Sequence, residues 1–186
     1  LTVGMDYKKE KISNINKYFE LKLATVFRDK KENFIPSNTT LNKKNSNIFG
    51  SITNNFSENF KLNYEFAIDE DLNEIQYNDI NTTLSINNFV TKFNFIKEIG
   101  DMGNQNLIEN STTYIMDEKN HISFNTRRNR KLNLTEFYDL VYEYKNDCFI
   151  AGIKYKKTYY EDRDLKPTED LFFSVTLFPL TTYEQK

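Results

Sequence analysis

Residues 60–69 read FKLNYEFAID. Phe60, Leu62, Tyr64, Phe66 and Ile68 fall on one side of a period-two pattern, and Lys61, Asn63, Glu65, Ala67 and Asp69 on the other. A helix would scatter both sets around its circumference. A strand, whose side chains alternate faces, sorts them completely. This stretch is therefore a strand with one apolar and one polar face.

The same sorting recurs along the chain. Phe19, Leu21, Leu23 and Thr25 share a side, as do Ile80, Thr82, Leu84 and Ile86. Phe89, Thr91, Phe93 and Phe95 alternate with Val90, Lys92, Asn94 and Ile96, and Ile122 and Phe124 with Ser123 and Asn125. Tyr138, Leu140, Tyr142 and Tyr144 oppose Phe137, Asp139, Val141 and Glu143. Phe149, Ala151, Ile153 and Tyr155 form another row, and Leu171, Phe173, Val175 and Leu177 the last. The pattern predicts about eleven strands and no helix. Residues 75–86 change phase near Asp79, the signature of a bulge.

The links between these rows alternate in length. Residues 145–147 (KND), 117–120 (DEKN) and 87–88 (NN) are short, whereas 161–170 (EDRDLKPTED), 99–106 and 28–45 are long. Outer-membrane barrels pair short periplasmic turns with longer extracellular loops. That parity puts the KND, DEKN and NN turns on the periplasmic side. Residues 54–59 and 9–17 are less tidy members of the short set. Mid-strand Lys, Glu and Asp suit a wet or protein-filled lumen. Tyr18, Tyr138, Tyr144 and Tyr155 lie near strand ends, where an interfacial girdle belongs. The expected fold is thus all-β: an antiparallel transmembrane β-barrel segment, about eleven up-and-down strands of a larger barrel. A soluble β-rich module also alternates and is the competing reading.

Composition narrows the classes. The 186 residues are 38% hydrophobic yet 15% aromatic, which argues for ordered β-structure rather than disorder. A balance of 25 basic and 27 acidic side chains leaves no nucleic-acid footprint. No apolar run approaches the ~18 residues of a membrane helix. Cys148 is the single Cys and His121 the single His, too few for a zinc site. No nucleophile elbow, P-loop, dinucleotide or metalloprotease motif occurs. The chain reads as a non-enzyme with no metal or cofactor. It starts on Leu1 and reads as a C-terminal fragment or trimmed chain.

Residues 127–179 are the most distinctive: NLTEFYDLVYEY, the NDC turn with Cys148, the YYEDRDLKP loop and the closing LFFSVTLFPL. Together they resemble the C-terminal end of the LPS-assembly protein LptD family, in its alphaproteobacterial form. The resemblance covers roughly a third of the chain. It implies a barrel in the Gram-negative cell outer membrane, with an N-terminal jellyroll and the first barrel strands absent from residues 1–186. It implies lipopolysaccharide insertion into the outer leaflet through a lateral seam, and hence a part in cell-envelope biogenesis. Implied partners are an LptE-like lipoprotein plug, a periplasmic LptA-like bridge, lipopolysaccharide and the barrel-assembly machinery. A porin or receptor barrel is the alternative of the same architecture; a soluble β-rich lipid-binding module is the alternative of another class.

The resemblance also assigns residues. Cys148 becomes a disulfide candidate with its partner outside this chain; a free thiol is the plainer reading. Leu171, Phe173, Val175 and Leu177 become the last strand and one lip of the lateral gate. Arg127, Arg128 and Arg130, with Lys131, cluster at an extracellular hairpin top. They are either a solvated cluster or a contact for lipopolysaccharide phosphate. Glu161, Asp162, Arg163 and Asp164 either pair internally or bind a bridging cation.

Overall fold

The computed structural model describes residues 1–55, 57–160, 164–178 and 181–185, the last stretch by its backbone. Twelve strands occupy the described residues: β1 (Thr2–Lys11), β2 (Asn14–Val26), β3 (Ile48–Asn54), β4 (Phe60–Ile68), β5 (Ile75–Ile86), β6 (Phe89–Glu98), β7 (Asn106–Ile115), β8 (Asn120–Asn129), β9 (Leu134–Lys145), β10 (Phe149–Thr158), β11 (Thr168–Leu177) and β12 (Thr181–Gln185). Hydrogen-bonded neighbours follow chain order. The architecture is all-β, antiparallel and up-and-down, as the alternation predicts. β1, β6, β7, β8, β10 and β11 are each 10 residues long, close to the ~9–11 that cross a bilayer at a tilt.

Three expectations change. The chain was expected to end its ladder at the row Leu171–Leu177. Instead β12 pairs with β11, from Phe173 opposite Gln185 to Leu177 opposite Thr181. An open strand edge is a row of unpaired N–H and C=O groups, and the Thr-Thr-Tyr that follows has high β-propensity. Second, the link between β1 and β2 is only residues 12–13. The polar stretch 9–17 looked like a loop but is mostly strand, with Glu10 paired to Tyr18. The short-long alternation is cleaner for it. Third, β5 runs through Asp79 without losing its alternation. Asp79 accepts hydrogen bonds from Tyr77 (3.4 Å) and Asn81 (2.7 Å), so residues 77, 79 and 81 share a face. Residue type changes there, not backbone phase.

The chain divides into two compact units. The first holds residues 1–83 and 94–106. Register puts Val3, Met5 and Tyr7 on one face with Phe19, Leu21 and Leu23 of β2, Gly50 and Ile52 of β3, and Tyr64 and Phe66 of β4. The Phe66 ring lies across Gly50, where a β-carbon would come within 2.2 Å of it. Glu20, Lys22, Ser51, Thr53, Asn63 and Glu65 form the opposite face.

The link 27–47 is the longest in the chain and is built on side-chain caps. Ser46 Oγ accepts the Val26 N–H (2.9 Å), and Thr40 Oγ1 accepts the Asn47 N–H (3.1 Å). The Asn47 amide donates to Gln76 Oε1 (2.9 Å), and Lys43 pairs with Asp101 at 2.7 Å. Thr40, Asn42, Ser46 and Asn47 are all buried. A loop that buries its polar groups must pair them, and the side chains of Thr40, Ser46 and Asn47 do that.

The second unit holds residues 84–93 and 107–186. Its apolar face carries Tyr114, Ile122, Phe124, Leu140, Tyr142, Ile153, Phe173 and Val175 in cross-strand register. Its polar face carries Ser111, Asn125, Asp139, Lys154 and Ser174. A register shift falls between Arg127 and Arg128, at the end of the β8–β9 pair.

Candidate functional site

The side chains are arranged inside out relative to a water-soluble fold. Among the described residues, the buried hydrophobic core is Ala67 alone, while Thr40, Asn42, Ser46, Asn47 and Asp139 are buried polar or charged groups. The apolar rows stand open. In the first unit Val3, Met5 and Tyr7 are about half exposed (49–51%). In the second, Leu140, Ile153, Leu171 and Phe173 are too (45–51%). Fully burying such a side chain is worth about 1.5–3 kcal/mol. Half-exposed rows on several strands therefore forfeit an amount comparable to the ~5–15 kcal/mol that holds a soluble domain together. A hydrocarbon surrounding removes that cost. Open apolar rows of this kind are what a lipid-facing sheet presents.

The polar face of the second unit is cross-linked strand to strand. Ser111 Oγ donates to Asn125 Oδ1 (2.6 Å), the Asn125 amide donates to Asp139 Oδ1 (2.6 Å), and Lys154 Nζ pairs with Asp139 Oδ2 (3.1 Å). This row ties β7, β8, β9 and β10 together. Thr113 and Ser123 add a rung at 2.9 Å. Asp139 is 4% exposed, yet both carboxylate oxygens are engaged.

The polar face of the first unit carries a cleft of about 490 Å³. Lys22, Ser51, Glu65 and Tyr77 supply its polar lining, with Phe49 and Met102 beside them. Met102 belongs to the 3-10 turn Gly100–Met102, so the 99–105 loop reaches over this face. The turn Ser37–Thr39 packs against it. Alternation could place Lys22 and Glu65 on one face; only the fold brings Tyr77 and Met102 to them.

The arginines expected to act together are divided. Arg127 lies on the polar face, with Nε 2.8 Å from Glu136 and 3.5 Å from Glu109. Arg128 is opposite Ile108 on the apolar face, and its Nη2 donates to Asn133 Oδ1 at 2.6 Å. Arg128, Arg130 and Lys131 are exposed. The row Leu171, Phe173, Val175 and Leu177 is continuous on one face of β11, but β12 covers the edge that a last strand would leave open. Cys148 is an exposed free thiol in the turn after β9, and its C=O accepts the Phe178 N–H (2.9 Å). Tyr138 packs on Tyr159 and Tyr144 on Phe149, aromatic pairs toward opposite ends of β9. Tyr18 departs from the girdle pattern. It faces the polar side opposite Glu10, with the Lys8 ammonium 4.8 Å from its ring centroid. Glu161, Asp162 and Arg163 lie outside the described residues, as do Pro179 and Leu180. Among the described residues, no group of three or more His, Cys, Asp or Glu is placed to hold a metal. No helix among the described residues is long and apolar enough to cross a membrane.

Solved structures share the fold. Two engineered variants of the Rh. blastica porin superpose with a TM-score of 0.53 each, at 8% and 10% sequence identity. Each comparison covers 96% of this chain and 80% of the porin. At such identity the likeness is one of fold: this chain has a porin-like β-barrel fold. No protein-family model matches the sequence, and no curated protein does.

Proposed function

We propose that this chain is a membrane-spanning stretch of porin-like β-barrel in a bacterial outer membrane, whose polar faces border an aqueous path for small polar solutes. The observation that carries this is the inversion of the sheet: open apolar rows on one face, paired polar groups on the other. In hydrocarbon every backbone group must be paired within the protein, and up-and-down strands do that once they close into a barrel. The 99–105 loop, which carries Met102 over the polar face of the first unit, would narrow such a path. The test is refolding of the chain with and without detergent, followed by planar-bilayer conductance. A stable β-signature in detergent and ohmic conductance are expected. A folded monomer in detergent-free buffer would overturn the reading.

A finer reading is favoured by the motifs of residues 127–179: a C-terminal barrel segment that assembles lipopolysaccharide with a lipoprotein plug and a periplasmic bridge. On that reading the exposed Cys148 forms a disulfide with a partner beyond this chain, which an oxidising periplasm would preserve. Non-reducing electrophoresis of membranes with and without Cys148→Ser tests it. Loss of a slower-migrating species supports it, and an identical pattern counts against it.

A further inference from the structure

The geometry points to a binding site for a lipid-borne phosphate at the Arg128 rim, on the membrane-facing side of the second unit. The inference rests on the membrane-spanning reading. Ile108, Arg128, Arg130 and Asn133 line a pocket of about 400 Å³. Arg128 is in register with Ile108 and continues the row of Phe124 and Ile122, so the charge stands at the end of an apolar stripe. Tyr138, in register with Thr126 on that face, packs on Phe124 at 6.5 Å and on Tyr159 at 6.0 Å. An aromatic belt below a cation is the order met on leaving hydrocarbon: acyl chain, interface, headgroup phosphate.

The local chemistry suits phosphate. Asn133 adopts a left-handed conformation (φ 52°) in the turn after β8. Its side-chain oxygen takes one Arg128 N–H at 2.6 Å. That contact orients the guanidinium without cancelling its charge. A planar guanidinium matches phosphate oxygens with two parallel hydrogen bonds, and Arg130 brings a second charge to the same pocket. Arg127, one residue away, serves as an internal contrast. Its charge is engaged by Glu109 and Glu136 on the other face. The two side chains part company because neighbours on one strand point to opposite faces.

The test uses the full chain refolded in detergent micelles doped with phosphatidylglycerol, and counts retained lipid by native mass spectrometry. Diacylglycerol with the same tails is the phosphate-free control, and inorganic phosphate alone is the soluble one. The unmodified chain should retain phosphatidylglycerol but not diacylglycerol. Arg128→Gln with Arg130→Gln should weaken retention about tenfold or more. Arg127→Gln should leave it unchanged, and Arg128→Lys should recover only part of it because the fork is lost. Retention unaffected by the double substitution overturns the site. Equal retention of diacylglycerol does too, and so does binding of inorganic phosphate without lipid. Failure of the membrane reading looks different: the chain then folds without detergent, whatever its arginines are.

Discussion

Two residues in turns show how local chemistry holds the links. Leu72 sits at φ 60° in the β4–β5 turn, 65% exposed. A non-glycine residue there pays about 1–2 kcal/mol, and the open side chain returns nothing. The turn survives because Asp69 Oδ1 accepts the N–H groups of Asn73 (2.7 Å) and Glu74 (3.0 Å). Leu72→Asn should stabilise the fold by roughly 0.5–1 kcal/mol, since Asn tolerates this conformation. Urea titration in detergent would register the gain. Asp117 governs the β7–β8 turn. The backbone N–H of Lys119, then the side chain of Asn120, hold its carboxyl below the usual carboxylate range. A depressed carboxyl contributes stability above its unfolded value, about 3.9, and loses it as pH falls through the folded value. Amide protection at Lys119 and Asn120 should therefore be full at pH 6 and fall off below about pH 4.

At the scale of the strand, the two faces should answer substitution in opposite ways. Ile153 lies mid-strand on the apolar face of β10, between Tyr142 and Phe173, and is 45% exposed. On a soluble sheet a lysine would be tolerated there. In a bilayer it costs about 2–4 kcal/mol at the midplane. Ile153→Lys should lose that much folding free energy in lipid vesicles, and Thr113→Lys on the polar face well under half of it. Asp139→Leu tests the row across β7–β10. It removes the acceptor of both Asn125 and Lys154. The loss should be roughly 1–2 kcal/mol, kept modest because Lys154 is 40% exposed and stays hydrated. Thermal unfolding in detergent would measure it. On β5, Tyr77 stands on the polar face with Asp79, and an aromatic in a polar row is what a scan for alternation reads as a bulge.

For the whole molecule, the surrounding medium is part of the fold. Its apolar rows have no core to enter among the described residues, so on the proposed membrane-spanning reading the hydrophobic effect that folds a soluble sheet is satisfied by lipid. Refolding yield should accordingly rise from near zero in buffer to a cooperative β-state once detergent exceeds its micellar concentration. Light scattering and circular dichroism together would show it. The alternation of rows and of link lengths was enough to read most of the strands, their order and which face is apolar, because both signals are local and repeat many times. Four features needed the tertiary structure. β12 forms because β11 offers an unpaired edge. Arg127 is held because Glu109 and Glu136 reach it from the two flanking strands. Tyr77 and Met102 meet across a cleft because a loop far along the chain returns over it. The 27–47 loop packs because Asn47 finds Gln76 and Lys43 finds Asp101. Each depends on residues distant in sequence, and no period in the chain encodes such a pairing.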